Sequence, residues 1–270
     1  MDRWLGRRHH PQDELVTKMN DIRGRRILLD PLGGLYRDDK AEWRYQRKPV
    51  VGVPGDIITS EISSTVYDLL RIIGADIFAT RCMRRSHSEI GKSQYPLFHE
   101  SASHYLRYAR MRPSLRPNPT EEHLSQDVWG QGKTCLEQDQ NARINFARHI
   151  RADIVVAINI TNYVEDDGLE IRHNGVGGAA ELADGVIREV SKRTRRKPKP
   201  VAGLMEDEQA YAGLKVPVAI LDCGSAFDPA STDLLRKAWY RELISRGVFA
   251  GIFRNYCQDQ IGEPDRAPAA

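Results

Sequence analysis

The sequence has few of the features that mark secreted, membrane-spanning or disulfide-stabilised proteins. Its four cysteines lie far apart, with no C-x-x-C spacing, at Cys82, Cys135, Cys223 and Cys257. This pattern predicts reduced thiols in a cytosolic protein, with two disulfide bridges as the alternative. No segment approaches the roughly 20 apolar residues of a membrane span. The N-terminus, M-D-R-W-L-G-R-R-H-H-P-Q, has charge but no apolar run behind it, so we expect no signal peptide.

The sequence also lacks a clear excess of charge of either sign. Forty basic and 37 acidic side chains leave a net charge of +3, which is too balanced to predict nucleic-acid binding. We therefore expect no nucleic-acid partner. The lack of a signal-peptide pattern predicts a cytoplasmic location, or the cell envelope if the natural start lies elsewhere. Hydrophobic residues make up 40% of the 270 residues, enough for the core of one large domain with tails.

Apolar periodicity predicts alternating strands and helices. Strands are predicted at residues 26–30, 75–80, 153–158, 168–172 and 216–221. Helices are predicted at residues 59–73, 136–151, 178–193 and 230–256. This order is typical of an α/β fold with an open, mostly parallel, twisted sheet and helices on both faces.

One long segment breaks the alternation. Residues 82–135 are rich in proline and histidine and show little periodicity, so we interpret them as an insertion with one helix near residues 100–110. The predicted organisation is a polar tail at 1–25, an α/β domain at 26–258 that carries this insertion, and a tail at 259–270.

Several segments, in order, resemble the zinc-dependent N-acetylmuramoyl-L-alanine amidases, which cut between the glycan and the stem peptide of peptidoglycan. Residues 27–34 (I-L-L-D-P-L-G-G) resemble the family's first strand and turn, D-P-G-H-G-G. Residues 69–81 resemble its helix, glycine, strand and Thr-Arg ending, and residues 143–162 resemble R-x-x-x-A-N-x-x-x-A-D-L-F-V-S-I-H-x-N. Residues 168–170 (G-L-E) match its G-x-E strand, and 217–229 resemble its last strand. The resemblance implies the amidase fold over residues 26–256.

The resemblance also assigns site positions, and most of them carry the wrong residue. The family holds zinc with two histidines and a glutamate, and a second glutamate is the catalytic acid/base. The first histidine falls in the turn at Leu32, and the second falls on Asn159. Asp56 is the carboxylate nearest the ligand glutamate, and Asp222 takes the place of the catalytic glutamate.

Leucine offers no lone pair to zinc, and an amide oxygen is a weak donor that suits calcium better. We therefore expect no cofactor, with zinc required only if the protein is active, and Asp56 as a metal ligand only in that case. Asp222 is the predicted catalytic residue, and Asn159, Asn162 and Arg81 are predicted to bind substrate. Asp222 also suits a turn cap, and Asp56 a helix cap.

The insertion supplies other candidate ligands. It contains His87, His99, His104 and His123, which are either surface side chains or parts of a rebuilt metal site. On a helix, the five-residue step from His99 to His104 separates the two side chains by about 140°, which is poor for chelation.

Three functions remain open. The first is a catalytically degenerate amidase-like protein that binds a peptidoglycan-type glycopeptide or a protein partner. The second is an active amidohydrolase that cuts the muramoyl-L-alanine bond with altered or insertion-supplied metal ligands. The third is a metal-independent hydrolase that uses Cys223 and Asp222. The basic run at residues 191–200 (S-K-R-T-R-R-K-P-K-P) is either a solvated helix end or a contact for an anionic polymer.

Overall fold

The structure, a computed structural model, describes residues 21–38, 40, 42–46, 49–50, 52–83, 100–111, 132–162 and 169–257. In these ranges the strands are β1 (Arg26–Pro31), β2 (Leu35–Arg37), β3 (Trp43–Tyr45), β4 (Pro49–Val50), β5 (Val53–Pro54), β6 (Asp76–Ala79), β7 (Ile154–Thr161), β8 (Glu170–His173), β9 (Ala202–Gly203) and β10 (Val218–Ser225). The helices are α1 (Gly55–Ile72), α2 (Ala102–Met111), α3 (Cys135–His149), α4 (Ala179–Thr194), α5 (Pro229–Leu235) and α6 (Ala238–Cys257), with a 3-10 helix at Glu206–Gly213.

Six strands form the main sheet, in the order β6-β1-β7-β10-β8-β9. The pairs β6–β1, β1–β7 and β7–β10 are parallel, whereas β8 runs antiparallel to β10. The prediction of a mostly parallel sheet is therefore confirmed. The chain leaves β1 for β6 on one side and then crosses to β7 on the other side of β1. Ligands of open α/β sheets usually bind at such a change of direction, outside the carboxyl ends of the strands.

Side-chain alternation along the strands builds two cores, one on each face of the sheet. In β7, Ile154, Val156 and Ile158 face a core that includes side chains of α1, α4 and α6. Val155 and Ala157 point the other way, into a core formed with α3 and the 3-10 helix. All eight residues of β7 are buried because both faces of the strand are covered. Helices therefore lie on both faces, as predicted.

The helix boundaries follow from local chemistry. The capping box of Thr134 and Glu137 begins α3, since each side chain accepts a hydrogen bond from the other residue's backbone N–H. Helix α1 begins at Gly55, earlier than the predicted residue 59, and this start places Asp56 in its first turn. The helix expected near residues 100–110 is present as α2.

The structure also contains elements that periodicity did not predict. Two small antiparallel pairs, β2–β3 and β4–β5, lie between β1 and α1. Within the described ranges, no helix has both the length and the apolar character needed to cross a bilayer.

Two glycines allow α6 to pack tightly against α4. A Cβ on Gly251 would lie 2.4 Å from the Cα of Val186, and a Cβ on Gly247 would lie 2.6 Å from the Cα of Val190. These contacts are with backbone atoms, which a side-chain rotation cannot relieve.

We predict that Gly251→Ala destabilises the protein by roughly 1–3 kcal/mol, because the added methyl group forces the helices apart. Alanine has the higher helix propensity, so destabilisation would identify the packing as its cause. Urea unfolding measures the effect. Gly203→Ala is the matched control, since a Cβ there meets nothing within 4 Å. Equal stabilities for the two variants would contradict the close packing of α4 and α6.

Candidate functional site

The carboxyl ends of the parallel strands bring two of the predicted site residues side by side. Asp222 of β10 is in direct register with Asn159 of β7. Both side chains point to the face of the sheet that packs on α3, because Val155, Ala157 and Ile220 of the same strands lie in that core. Asn159 is 6% exposed and Asp222 is fully buried.

Asn159 is hydrogen-bonded to the predicted catalytic carboxylate. Its Nδ2 donates to Oδ1 of Asp222 at 2.5 Å. The other oxygen of Asp222, Oδ2, forms an ion pair with Nη2 of Arg172 that is not aligned as a hydrogen bond. The two Asp222 oxygens are thus engaged by an amide and by a buried cation.

Arg172 lies among three carboxylates. Its Nε and Nη2 donate to the two carboxylate oxygens of Glu208 at 2.8 and 2.6 Å, a bidentate pair. Its Nη1 is 2.9 Å from Oε1 of Glu170, which also pairs with Lys199 at 3.5 Å. We call Asn159, Glu170, Arg172, Glu208 and Asp222 the Arg172 network.

Burial controls the acidity of Asp222. Desolvation raises the pKa of Asp222 to about 7, although the ion pair with Arg172 and the hydrogen bond from Asn159 oppose the shift. The Glu208 carboxylate adds to the increase because two like charges share one buried region. Asp222 can therefore change protonation state near neutral pH.

A second buried network lies beneath the turn after β1. Arg143 of α3 forms ion pairs with Asp30 and Asp139, the latter at 2.8 Å, and donates to the carbonyl oxygens of Pro31 and Gly33. Asp30 also accepts hydrogen bonds from Thr80 and Tyr211. Desolvation lowers the pKa of Arg143, but Asp139 and Asp30 reverse that effect and raise it overall. We call Asp30, Thr80, Asp139, Arg143 and Tyr211 the Arg143 network.

The 3-10 helix joins the two networks. Residues three apart lie on the same side of a 3-10 helix. Glu208 and Tyr211 have this spacing, and they reach Arg172 and Asp30 respectively. One short helix thereby fixes the buried ends of β1, β8 and β10.

The predicted metal ligand, Asp56, has different hydrogen-bond partners from Asn159 and Asp222. Asp56 accepts a hydrogen bond from the backbone N–H of Gln46 at 2.9 Å, and the Gln46 side chain donates to Asp139 at 3.0 Å. Among the described residues, Asp56 makes no hydrogen bond to Asn159 or Asp222.

The turn that should carry a zinc histidine is covered by the insertion. Leu32 is 8% exposed and packs in the core on the α3 side. A Cβ on Gly34, whose φ is +117°, would lie 2.5 Å from the Cα of Ser101. Ser101 also donates its N–H to the carbonyl of Leu35 at 2.9 Å. The insertion therefore packs directly on the end of β1.

The residues at the family's zinc positions do not fit a zinc ion. Leu32 supplies no donor atom, and the amide oxygen of Asn159 is a weak donor to zinc. The Arg172 guanidinium already provides a positive charge at Asp222 and would repel a second cation. In the described part of the chain, no group of three or more histidine, cysteine, aspartate or glutamate residues could hold a metal.

Two other predicted site residues have different environments. Arg81 is fully buried, and it donates to the carbonyl oxygens of Glu100 and Asp56 at 2.8 Å each. Desolvation lowers the pKa of Arg81 to about 10. Asn162 follows the end of β7 and is half-buried. Substrate binding by Asn159, Asn162 and Arg81 stays a prediction.

The histidines of the insertion lie mostly outside the described residues. His87, His99 and His123 are not described. His104 is on α2, where its ring packs edge-on against Trp43 with the centroids 5.0 Å apart.

A mechanism that combines Cys223 with Asp222 is wrong. Successive residues of a strand point to opposite faces, and Cys223 lies in the core on the α1 side while Asp222 faces α3. Burial also raises the pKa of the Cys223 thiol, so the reactive thiolate is disfavoured.

Arg172, Glu208, Asp30, Arg143 and Tyr211 were not predicted as site residues. Arg143 had a signal, because it begins the segment that resembles the family's R-x-x-x-A-N. The pattern E-I-R-H at residues 170–173 suggests a strand with Glu170 and Arg172 in solvent. Nothing near it in sequence indicates that the 3-10 helix covers that face.

No protein-family model matches the chain, and no curated protein matches it. Several solved structures, however, match it in fold. The N-acetylmuramoyl-L-alanine amidase AmiC2 of Nostoc punctiforme superposes with a TM-score of 0.54 at 14% identity, covering 87% of this chain and 97% of its own. Ami1 of Mycobacterium smegmatis superposes with a TM-score of 0.55 at 13% identity, covering 88% of this chain and 99% of its own. The CwlD amidase of Clostridioides difficile, solved with the GerS lipoprotein, superposes with a TM-score of 0.54 at 14% identity. The match covers 87% of this chain and 100% of the amidase chain. The chain therefore has the fold of the N-acetylmuramoyl-L-alanine amidases.

Proposed function

We propose that this protein is a catalytically degenerate form of the amidase fold, which binds a peptidoglycan-type glycopeptide without cutting it. The observation that carries the proposal is the Arg172 network. In this network, Nδ2 of Asn159 and both carboxylate oxygens of Asp222 are engaged by protein groups, at the positions of the second zinc histidine and of the catalytic glutamate. A zinc-activated water would need a strong neutral nitrogen donor at the first position and a freely available carboxylate at the second.

Two buried polar atoms support ligand binding at the same place. Oδ1 of Asn159 and Oγ1 of Thr161 have no hydrogen-bond partner among the described residues. They belong to alternate residues of β7, so their side chains lie on the same face of the sheet. A buried acceptor without a partner is unfavourable by about 1–3 kcal/mol. The amide N–H groups of a stem peptide or of an N-acetyl sugar would satisfy them.

Positive charge lies near the same edge. The basic run begins in the last turn of α4 and continues beyond it, and Lys199 in it pairs with Glu170 of the Arg172 network. Lys192 and Lys197 are exposed. Carboxylates of a stem peptide would be attracted to this surface. A protein partner is the second candidate ligand, because one amidase of this fold was solved with a lipoprotein.

An active amidohydrolase is the alternative function. It is favoured by the pKa of Asp222, since a carboxyl group with a pKa near 7 suits general acid–base catalysis. General acid–base help alone contributes only about 10²–10⁴-fold, so this alternative also needs ligands from residues of the insertion that are not described.

The proposed degenerate form should contain little zinc. We expect well under one zinc per chain after dialysis, because neither Leu32 nor Asn159 can replace a histidine ligand. Inductively coupled plasma mass spectrometry measures it. Stoichiometric zinc that survives a chelator would reject the degenerate form and favour the active one.

A substitution at Thr161 distinguishes an effect on ligand binding from an effect on stability. Thr161→Val removes a buried hydroxyl that has no partner, so we expect stability to be unchanged or higher by about 1 kcal/mol. Calorimetric titration with a muramoyl peptide should nevertheless show weaker binding. Thr80→Val is the matched control, because the Thr80 hydroxyl donates to Asp30 at 2.6 Å. That variant should lose stability. Unchanged affinity in Thr161→Val would remove Thr161 from the ligand site.

The third prediction uses the titration of Asp222. Because its pKa rises from 3.8 to about 7 on folding, the folded protein keeps a proton that the unfolded chain has lost. The contribution of this group to stability is complete below pH 3.8 and is lost as the pH rises through about 7. Relative to Asp222→Asn, the natural chain should therefore lose up to about 1.4 kcal/mol per pH unit across this interval. Denaturant unfolding at several pH values tests this, and parallel pH profiles would show that Asp222 does not titrate as proposed.

A further inference from the structure

A separate cleft lies at the amino ends of β1 and β7, on the opposite edge of the sheet from Asn159 and Asp222. Its volume is about 610 Å³ and its lining is mainly polar. The charged residues that line it are Asp21, Arg23, Arg25, Arg26, Arg151 and Asp153. Four arginines against two aspartates leave a net charge of +2 in the cleft.

Two of these arginines, Arg25 and Arg26, make contacts within the protein. Nη1 of Arg26 donates to the carbonyl of Ile150 at the end of α3 at 3.1 Å. Nε of Arg25 donates to the carbonyl of Asp21 at 3.2 Å, and its guanidinium lies 5.4 Å from the ring centre of Tyr256. The carboxyl end of a helix favours such cations, so these residues need no ligand.

Arg23 and Arg151 are different. Both are exposed, and among the described residues neither guanidinium has a hydrogen-bond or ion-pair partner. Arg151 follows α3 with a φ of +51°, a conformation in which glycine is the usual residue at a helix end. The chain thus holds an arginine at the cleft where the backbone alone favours glycine.

A second cleft, of about 410 Å³, adjoins the first at Arg151, which lines both. Its lining is mainly apolar, with Ala147, Ala152, Leu214 and Val216 among its residues, and it also includes the cations Arg148 and Lys215. A ligand that spans Arg151 would meet guanidinium groups on one side and aliphatic side chains on the other.

We propose that the two clefts bind a small organic phosphate. The phosphate lies against Arg23 and Arg151, and the organic part lies in the apolar cleft. Guanidinium groups bind phosphate oxygens through paired, charge-assisted hydrogen bonds. The net charge of +2 matches a phosphate monoester dianion, and each volume is within the usual range for small-molecule sites. This inference is independent of the function proposed for the carboxyl edge.

Calorimetric titration of the full chain with phenyl phosphate and with inorganic phosphate tests the proposal. We expect phenyl phosphate to bind more tightly, with an affinity that decreases as salt is added. Arg151→Gly should weaken phenyl phosphate binding at least tenfold. Glycine suits the positive φ, so this variant should melt at the same temperature as the natural chain or higher, and misfolding would not explain the loss.

Arg195→Gly is the matched control. Arg195 also follows a helix, α4, with a positive φ of 58°, so the substitution changes charge and backbone in the same way away from the clefts. It should leave the affinity within twofold. Equal losses in the two variants, or no binding of phenyl phosphate, would overturn the site. Equal affinity for the two phosphates would overturn the assignment of the apolar cleft.

Discussion

The carboxyl edge of this sheet depends on the need to neutralise a buried guanidinium. Arg172 is 1% exposed, and removing one member of a buried charge pair typically destabilises a protein by about 3–5 kcal/mol. Asp222, Glu208 and Glu170 come from three different elements and meet at this one cation. The requirement to keep them together fixes β8, β10 and the 3-10 helix. A charge on Arg172 therefore does what a bound metal would do in such a site, which is to hold carboxylates in a dry interior.

The same principle operates a second time at Arg143. That guanidinium binds Asp30, Asp139 and two carbonyl groups of the turn after β1. Its position under the turn explains why the turn is short and buried, with the insertion packed on it at Ser101. Since Glu208 and Tyr211 lie on one side of the 3-10 helix, the two networks form a single polar layer. Movement of that helix would expose or separate charges on both sides.

The fold was more predictable from the sequence than the site was. Local apolar spacing determines the strands and helices, and the order of elements determines a mostly parallel sheet, so those inferences needed no distant contacts. The partners of the buried charges are distant in sequence: Arg172 and Glu208 are 36 residues apart, and Asp30 and Tyr211 are 181 apart. The alternation in residues 170–173 suggests solvent for Arg172. The 3-10 helix buries it instead, and that helix has no periodic signal of its own. The proximity of Asn159 and Asp222 was accessible because each residue directly follows a predicted strand.

The two edges of the sheet use their arginines in opposite ways. At the carboxyl edge, Arg81, Arg143 and Arg172 are fully buried or nearly so, and their donors are occupied by the chain's own carboxylates and carbonyls. The buried polar atoms without a hydrogen-bond partner among the described residues there include two neutral oxygens, the amide oxygen of Asn159 and the hydroxyl of Thr161. The amide oxygen of Asn159 can accept a hydrogen bond, but it cannot stabilise a developing oxyanion, which needs hydrogen-bond donors. Internal ion pairs thus hold the carboxyl edge of the sheet together, whereas at the amino edge Arg23 and Arg151 keep exposed guanidinium groups without a partner among the described residues.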